Sequence, residues 1–397
     1  MGTGSSQPLS SLKILDFTTL LPGPFATMLL ADLGADVVRV ESPTRPDMVR
    51  LLPPYDGDTT AWHGVLNRNK RSLALDLKRP AAVAAVVRLV AEGGYDIVIE
   101  QFRPGVMDRL GLGYEALRAA NPALIYVALT GYGQTGPLRD RAGHDNNYLA
   151  LSGALSYSGR RAAGPPPLGI QVADVGGGAM GALVGLLVAV VDRAATGRGQ
   201  YVDVSMFDLM VAWQAHLAAH FLVGGETPEA ERMALNGGRA YDLYQTADGR
   251  WLSVGSLEPK FWEGFCAALD RPDLFDPGLS LDPEKQAWVK GEIHAVLAAR
   301  PLAEWAALFV ALDVCVEPVL TVPEMLEHPQ TVARGLVVDV PRPGGGTQRQ
   351  ISNPWRFSGG AAEYRSIGAP LGAHTEEVLR EAGFAPEEVT DLTGGRP

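Results

Sequence analysis

Residues 13–41 read KILDFTTLLPGPFATMLLADLGADVVRVE. An apolar run at Lys13–Phe17 is followed by apolar residues at helical spacing over Pro24–Leu33, and a second apolar run fills Asp36–Glu41. Gly34 comes directly after the helical pattern, where a helix is expected to end. Two apolar strands joined by a helix predict a βαβ unit, and such a unit requires a parallel sheet.

The same alternation continues to residue 130. Strands are predicted at Ser72–Leu77, Asp96–Glu100 and Leu124–Thr130, and helices at Pro80–Glu92 and Tyr114–Ala120. The predicted fold class is therefore α/β, with a doubly wound, Rossmann-like sheet in the large domain. Glu41 closes the second strand as the acidic residue of a dinucleotide site does. A nicotinamide site is still not expected, because the first turn holds Gly23 alone where the fingerprint needs three glycines.

Three regions are expected beyond this pattern. A large α/β domain with connecting helices spans 1–223, a smaller α+β domain spans 224–330, and a segment over 331–397 returns to the large domain because it is too short to fold alone. The linker Gly224–Gly238 is polar, and a hairpin at Ala240–Thr246 and Trp251–Val254 opens the small domain. A long buried helix is predicted at Gly176–Ala195, with glycines 177, 181 and 185 on one face for close packing.

Composition excludes several classes of protein. The 397 residues carry 34 basic and 45 acidic side chains, a net charge of −11, so general binding of nucleic acid or an anionic membrane is not expected. Two cysteines exclude a disulfide framework, and Met1–Ser11 lacks the apolar core of a signal peptide. The longest apolar run, Ala179–Val191, is shorter than the ~20 residues that span a bilayer. A cytoplasmic protein is expected.

A basic cluster surrounds the strand at 72–77. It comprises Arg68, Lys70, Arg71, Lys78 and Arg79, with Asp76 as the one acidic residue among them. Arg103 and Arg109 follow the next strand. Cations near strand ends suit a phosphate-bearing small molecule. The alternative interpretation is a solvated basic face.

Three further segments carry candidate acid–base groups. They are GHDNNY at Gly143–Tyr148, QVADVGGG at Gln171–Gly178 and SLEPKF at Ser256–Phe261. His144 is expected near a helix N-terminus, where the dipole and burial favour the neutral imidazole of a general base. Asp174 is expected at an N-cap, and Glu258 before the first turn of a helix. A structural histidine, a plain N-cap and a dipole-stabilised carboxylate are the respective alternatives.

No metal site is expected. His216 and His220 are four residues apart on a predicted helix, but Leu217 replaces the glutamate of a zincin motif and no third ligand is indicated. The G-x-S-x-G and P-loop motifs are absent from the sequence.

Taken together, these segments resemble the class III coenzyme A transferase superfamily, the CaiB/BaiF type, and within it they are most similar to the α-methylacyl-CoA racemases. The resemblance covers nearly the whole chain. It rests on LDFTTLLPGPFATMLLADLGADVVRVE, NRNKRSLALDLK, IEQFRPGVMDRLGLGY, RAGHDNNYLALSG, QVADVGGG and YDLYQTADGRWLSVGSLEPKFW. It implies a two-domain α/β subunit and a homodimer whose two subunits are interlocked like links of a chain.

The resemblance also implies residue roles. Asp174 matches a carboxylate that is the nucleophile of the transferases and one of two bases in the racemases. His144 matches the other base, which family transferases generally lack, and Glu258 matches a racemase glutamate near it. Positions that contact coenzyme A in the family match Leu75, Asp76, Leu77, Lys78, Gln101, Phe102, Arg103, Arg109, Gly143, Asp145, Asn146, Asn147 and Tyr148.

The implied activity is racemisation of 2-methyl-branched acyl-CoA thioesters through an enolate. His144 and Asp174 would exchange protons with the α-carbon, with burial raising the pKa of Asp174. Backbone N–H groups of Gly176, Gly177 and Gly178 would hold the enolate oxygen, and Glu258 would orient His144. Coenzyme A enters as part of the substrate, so no separate cofactor is expected.

Two alternatives stay open at this point. One is a class III CoA transferase with an aspartyl-CoA thioester at Asp174, and the other is a non-catalytic acyl-CoA-binding protein. Two departures from the racemase pattern bear on them. Ser42 stands where racemases commonly have an arginine, and Arg45–Val65 forms a longer insert that is closer to the transferases.

Overall fold

The computed structural model describes residues 7–394, so the first six residues of the predicted N-terminal segment Met1–Ser11 lie outside the described part. The chain divides into two compact units. Unit 1 comprises the residues up to 149, residues 169–212 and those from 329 onward, and unit 2 comprises residues 150–168 and 213–328. The domain boundaries that the sequence predicts at 223 and 330 stay predictions.

The strands and helices follow one another closely along the chain. The strands are β1 (Lys13–Phe17), β2 (Asp36–Glu41), β3 (Tyr55–Asp56), β4 (Thr59–Thr60), β5 (Arg71–Ala74), β6 (Ile97–Glu100), β7 (Ile125–Thr130), β8 (Tyr201–Ser205), β9 (Asp242–Gln245), β10 (Trp251–Val254), β11 (Val316–Pro318), β12 (Val337–Pro341) and β13 (Thr347–Ile351). The α-helices are α1 (Pro22–Asp32), α2 (Ala61–Leu66), α3 (Pro80–Ala91), α4 (Val106–Arg109), α5 (Tyr114–Ala120), α6 (Asp145–Leu151), α7 (Met180–Thr196), α8 (Met206–Ala212), α9 (Ala215–Leu222), α10 (Pro259–Ala268), α11 (Phe275–Leu279), α12 (Pro283–Leu297), α13 (Leu302–Phe309), α14 (Val322–Glu327), α15 (Pro329–Ala333), α16 (Thr375–Glu381) and α17 (Pro386–Thr393). Short 3₁₀ turns occupy Met48–Arg50, Ala154–Tyr157 and Pro272–Leu274, and a π-helical segment occupies Val172–Ala179.

A six-stranded parallel sheet forms the centre of unit 1, in the order β5-β2-β1-β6-β7-β8. The predicted α/β fold class with a doubly wound sheet is confirmed. The edge strand β8 was not predicted. The strand order reverses between β1 and β6, and ligands of open α/β sheets bind in the crevice at the carboxyl ends of such strands.

Apolar side chains cover the sheet because its strands are buried on both faces. All six residues of β7 are buried, and on one face Leu15, Val38 and Tyr126 pack with Val86 of α3. Val378 and Leu379 of α16 belong to the same cluster, together with two residues of α17. The chain segment after residue 329 therefore completes the core of unit 1.

The glycine-rich helix differs from its prediction in two ways. Its first eight residues are π-helical, and with α7 they form a 25-residue apolar helix that could cross a membrane by length and composition alone. The glycine face packs as expected, because a Cβ at Gly185 would lie 2.9 Å from Val202 Cγ1 of β8. The expectation of a fully buried helix is wrong, since Val184, Val188 and Val191 are 63%, 61% and 71% exposed.

Unit 2 has its own sheet and core. β10 pairs antiparallel with β9 and with β11. The predicted hairpin is therefore present, with a shorter first strand and the predicted bounds for the second. Trp262, Phe265 and Trp305 are buried in its apolar cluster. His216 and His220 lie on α9 with exposed side chains, and within residues 7–394 no group of three or more histidine, cysteine or acidic side chains is placed to hold a metal ion.

Candidate active site

A cavity of about 280 Å³ opens in unit 1 at the reversal of strand order. Its walls come from the segments that follow β1, β6, β7 and β8. The lining residues are Leu20, Leu21, Pro22, Gln101, Phe102, Arg103, Pro104, Leu129, Thr130, Gly131, Tyr132, Arg139, Arg141, Ala142, Gly143, His144, Tyr148, Asp174 and Met206. The parallel topology thus brings His144 and Asp174, 30 residues apart in sequence, to one cavity.

His144 lies immediately before α6. Its backbone N–H donates to Asn147 Oδ1 at 3.0 Å, and its carbonyl accepts from the Asn147 N–H at 2.8 Å. This closed turn places the imidazole at the first turn of the helix, as predicted. The expectation that burial favours the neutral imidazole is wrong, because His144 is exposed.

Asp145 is less exposed than His144, and its side chain accepts hydrogen bonds from the segment that contains Asp174. Its Oδ1 accepts from the Ala173 N–H at 2.6 Å and from the Asp174 N–H at 2.9 Å. The π-helical segment begins at Val172, so Asp174 lies within it. The prediction of Asp174 as the N-cap is therefore wrong, and the backbone donors that an N-cap would satisfy are bound by Asp145 instead.

Asp174 is half-buried at the cavity wall. Burial raises the pKa of Asp174 to about 6, the Asp145 carboxylate adds to the rise, and His144 opposes it. The direction agrees with the prediction from burial, but part of the rise comes from the charge of Asp145, for which the resemblance implied only a contact with coenzyme A. A carboxyl group with this pKa exchanges its proton near neutral pH.

Three arginines give the cavity a local positive charge. Arg103 was predicted, whereas Arg139 and Arg141 were missed although they lie in the loop that precedes GHDNNY. Arg139 makes one long ion pair, 3.7 Å from its Nε to Asp140 Oδ1. Guanidinium groups with spare donors suit the phosphates of a nucleotide-like ligand.

Four side chains of the basic cluster around β5 form ion pairs within unit 1. Arg68 and Lys70 are fully buried and pair with Asp32 at 2.7 Å and Asp16 at 3.2 Å. Arg71 and Arg79 also pair with acidic side chains of the same unit, namely Asp36, Glu377 and Glu381 for Arg71 and Asp391 for Arg79. The interpretation of these four residues as a phosphate site is wrong, because their donors stabilise the fold.

Glu41 is also committed to internal pairing. Its carboxylate accepts from Arg50 at 2.6 Å and from the Ser72 hydroxyl at 2.7 Å. A ribose site at the end of β2 is therefore not available, in keeping with the single glycine of the first turn.

The predicted coenzyme A contacts are spread more widely than the cavity. Gln101, Phe102, Arg103, Gly143 and Tyr148 line it, and Gln101 Oε1 also accepts from the Gly23 N–H at 3.0 Å. The remaining predicted contacts are not part of its lining: Leu75, Asp76, Leu77 and Lys78 follow β5, Arg109 ends α4, and Asp145, Asn146 and Asn147 lie in α6. Their roles stay predictions.

The glycines after Asp174 pack closely against neighbouring elements, which the sequence predicted for Gly177 but not for Gly178. Gly177 and Gly178 are buried, and a Cβ at Gly178 would lie 2.9 Å from Met206 Cγ and 3.1 Å from Pro22 Cβ. Neither residue lines the cavity, nor does Gly176. Their assignment as donors to an enolate oxygen stays a prediction.

Glu258 belongs to unit 2. It precedes α10, its side chain is exposed, and its carbonyl accepts from the Trp262 N–H at 2.9 Å. No described backbone donor caps its carboxylate. The position before Pro259 agrees with the sequence analysis, and its role toward His144 stays a prediction.

Similarity to known proteins extends over almost the whole chain. The sequence profile of CoA-transferase family III matches residues 9–375. The chain belongs to CoA-transferase family III. Alpha-methylacyl-CoA racemase of Homo sapiens is 38% identical over 98% of this chain and 97% of its own length. Succinyl-CoA:glutarate CoA-transferase of Homo sapiens is 33% identical over 94% of this chain and 86% of its own length.

A solved structure supports the same assignment. The crystal structure of a CaiB/BaiF family protein from Brucella suis has a TM-score of 0.81 and 29% identity, covering 95% of this chain and all of that one (100%). As a member of CoA-transferase family III, this chain is an enzyme of a group that contains both racemases and CoA transferases. An acyl-CoA substrate is consistent with these relatives.

Proposed function

We propose that this family III enzyme racemises 2-methyl-branched acyl-CoA thioesters. The observation that carries the proposal is the shared cavity of His144 and Asp174, in which the carboxyl pKa is raised to about 6. A 1,1-proton transfer needs one group that removes the α-proton and another that returns a proton to the opposite face of the carbon. The 38% identity to a racemase over almost the full chain supports the same reaction.

In one direction of the proposed reaction, His144 is the base and Asp174 is the acid. Neutral His144 takes the α-proton, the C–H electron pair forms the enolate double bond, and the carbonyl pair moves onto oxygen. Protonated Asp174 then gives its proton to the other face of the carbon, which leaves imidazolium and carboxylate. In the reverse direction the Asp174 carboxylate removes the proton and the imidazolium returns one.

The remaining groups bind and orient the thioester. Arg103, Arg139 and Arg141 would donate hydrogen bonds to the phosphates of coenzyme A. Coenzyme A is part of the substrate, so the proposed reaction needs no separate cofactor. The N–H groups of residues 176–178 would stabilise the enolate oxygen, and Glu258 would orient the His144 imidazole. Both of these roles rest on the family resemblance, as does the interlocked homodimer that we propose. The cytoplasmic location that we propose rests on the low cysteine content of the chain.

A second candidate is CoA transfer between carboxylic acids. It is favoured by the position of the Asp174 carboxylate at the cavity wall and by relatives named as CoA transferases. The carboxylate would attack the thioester carbonyl to give a mixed anhydride and release the CoA thiolate. The thiolate would attack the aspartyl carbonyl, forming an aspartyl-CoA thioester and releasing the acid, and a second acid would then accept CoA by the reverse steps.

One assay separates these reactions. A single enantiomer of a 2-methylacyl-CoA is incubated with the enzyme, with and without an unlabelled free carboxylic acid. Chiral chromatography then follows the acyl group and mass spectrometry follows the thioesters. Racemisation predicts loss of optical purity without the added acid. Retained optical purity with a new thioester in the presence of acid would establish transfer instead, and hydroxylamine would then trap a hydroxamate at Asp174.

The control for this assay is Asp174→Asn, which both mechanisms require to be inactive. Binding of coenzyme A with neither exchange nor transfer would favour a non-catalytic acyl-CoA-binding protein.

A further inference from the structure

Leu20 in the cavity wall has an unusual backbone conformation. Its φ is +61°, in the left-handed region that L-residues other than glycine rarely adopt. Leu20, Leu21 and Pro22 all line the cavity. Strained residues of this kind persist only where the surroundings hold them, and they concentrate at functional sites.

Asp47 supplies the contact that holds Leu20. Its Oδ2 accepts from the Leu20 N–H at 2.9 Å and also from Arg39, while its Oδ1 accepts from the Val49 N–H at 3.2 Å. Asp47 is 8% exposed and Arg39 is 2% exposed. The carboxylate is therefore fixed in place, and the Leu20 amide meets a rigid, charged acceptor.

Side chains other than Asp47 hold the two ends of this wall, at Thr18 and Gly23. Asp16 Oδ1 accepts from the Thr18 N–H at 2.9 Å, and Gln101 Oε1 accepts from the Gly23 N–H at 3.0 Å. Between these anchors, Asp47 provides the contact to the strained residue. The conformation of the loop at the cavity thus depends on a side chain from the Arg45–Val65 insert.

We infer that Asp47 is a positioning residue, which holds Leu20 in its left-handed conformation and so shapes the wall against which the acyl-CoA binds. The inference rests on the proposed function, because that function places an acyl-CoA in this cavity. A left-handed conformation is disfavoured roughly tenfold for a non-glycine residue. Without the Asp47 acceptor, residues 20–22 relax and the wall loses its shape.

A matched set of variants separates this role from general stabilisation. Asp47→Ala removes the acceptor and the charge, whereas Asp47→Asn keeps an oxygen for the Leu20 N–H and loses only the charge toward Arg39. Glu41→Gln is the control, because Glu41 is buried in the same ionic network and contacts Arg39, Arg50 and Ser72 but no residue of the cavity.

The expected result is a split between binding and stability. All three variants unfold at lower denaturant concentration. Asp47→Ala alone raises KM for the acyl-CoA, and the dissociation constant of coenzyme A measured by calorimetry, about tenfold, consistent with release of the strained loop. In a Leu20→Gly background the effect of Asp47→Ala shrinks to about twofold, because glycine adopts a positive φ without penalty.

A readout that needs no activity completes the test. Hydrogen exchange of the Leu20 amide, followed in the full-length enzyme, is expected to speed up in Asp47→Ala and to stay slow in Glu41→Gln. Equal KM values for these two variants, or a Leu20 amide that stays protected in Asp47→Ala, would overturn the inference. If the wild-type enzyme neither racemises nor transfers CoA while the exchange and CoA-binding results follow expectation, the proposed function fails and the role of Asp47 stands.

Discussion

Asp145 Oδ1 and the backbone N–H of Asp174 are 2.9 Å apart and hydrogen-bonded. The same oxygen also accepts from the Ala173 N–H at 2.6 Å. Because Asp145 directly follows His144, one carboxylate connects the start of α6 to the π-helical segment that carries Asp174. This contact fixes the relative position of the two proposed proton-transfer groups, and its negative charge contributes to the raised pKa of Asp174.

Asp145→Asn is expected to change the pH dependence of both directions of racemisation. The variant keeps an oxygen acceptor but removes a charge that adds to the effect of burial on the pKa of Asp174, so this pKa falls below about 6. When Asp174 acts as the base, activity is lost as pH drops through its pKa, and the acid limb moves to lower pH. When Asp174 acts as the acid, activity is lost above its pKa, and the alkaline limb also moves to lower pH.

The measurement is kcat/KM against pH for each enantiomer separately. Asp192→Asn is the control, since Asp192 lies on α7, bonds Gln200, and does not affect the Asp174 pKa. Superimposable profiles for the wild type and Asp145→Asn would show that the Asp145 charge does not set the titration.

Arg139→Met and Arg141→Met are expected to weaken substrate binding more than chemistry. Each replaces a guanidinium group at the cavity, and a lost charge-assisted hydrogen bond corresponds to about a tenfold rise in KM with little change in kcat. Steady-state kinetics with the acyl-CoA tests this. Arg118→Met is the matched control, because Arg118 pairs with Glu115 on α5 outside the cavity. A fall in kcat at constant KM would place these arginines in the chemical step instead.

The sequence predicted the sheet well because its signals are local. β1, β2 and the helices α3 and α5 follow from apolar periodicity and from the turn residues beside them, within two residues of the observed ends. β8 was not predicted because Asp203 interrupts its apolar pattern, and only the last two residues of this edge strand are buried. The π-helical start of the glycine-rich helix has no local signal of its own, because packing of Gly178 against Pro22 and Met206 accompanies it.

The sequence motifs identified the two proposed proton-transfer residues but not the residues that surround them. GHDNNY and QVADVGGG led to His144 and Asp174, which the fold brings to one cavity. The basic cluster was wrongly predicted to bind phosphate, because the charge of a side chain does not reveal its partner in the fold. Asp32, which pairs with Arg68, lies 36 residues earlier in the chain. Arg139, Arg141 and the Asp47 contact to Leu20 depend on tertiary geometry, so no pattern within a short window could indicate them.

Gly185→Ala tests the close packing of α7 against β8. The new Cβ would lie 2.9 Å from Val202 Cγ1, so we expect a loss of about 1–3 kcal/mol in the free energy of unfolding. Gly291→Ala in α12 is the paired variant, because a Cβ there meets nothing within 4 Å. It should stabilise by up to about 1 kcal/mol through helix propensity. Denaturant unfolding measures both, and equal effects would show that the glycine face is not tightly packed.

Glu41→Gln is expected to reduce the acid sensitivity of folding. Arg50 and Arg39 overcome the burial penalty and lower the pKa of Glu41 from 4.5 to about 2. A lowered folded-state pKa gives stability that is complete above pH 4.5 and is lost as pH falls toward 2, amounting to about 3 kcal/mol. Urea midpoints between pH 6 and 3 should therefore fall less steeply in Glu41→Gln. Glu377→Gln, at an exposed ion pair with Arg71, should keep the wild-type slope.

Proton NMR in deuterated water follows the proposed proton transfer at the α-carbon itself. A single enantiomer of a 2-methylacyl-CoA is followed with the wild type and with His144→Ala, in the absence of any free acid. We expect washout of the α-proton together with loss of optical purity in the wild type, and a decrease of at least about 100-fold in both rates in His144→Ala. A wild type that keeps the α-proton and forms a new thioester once a carboxylic acid is added would contradict the proposed proton transfer.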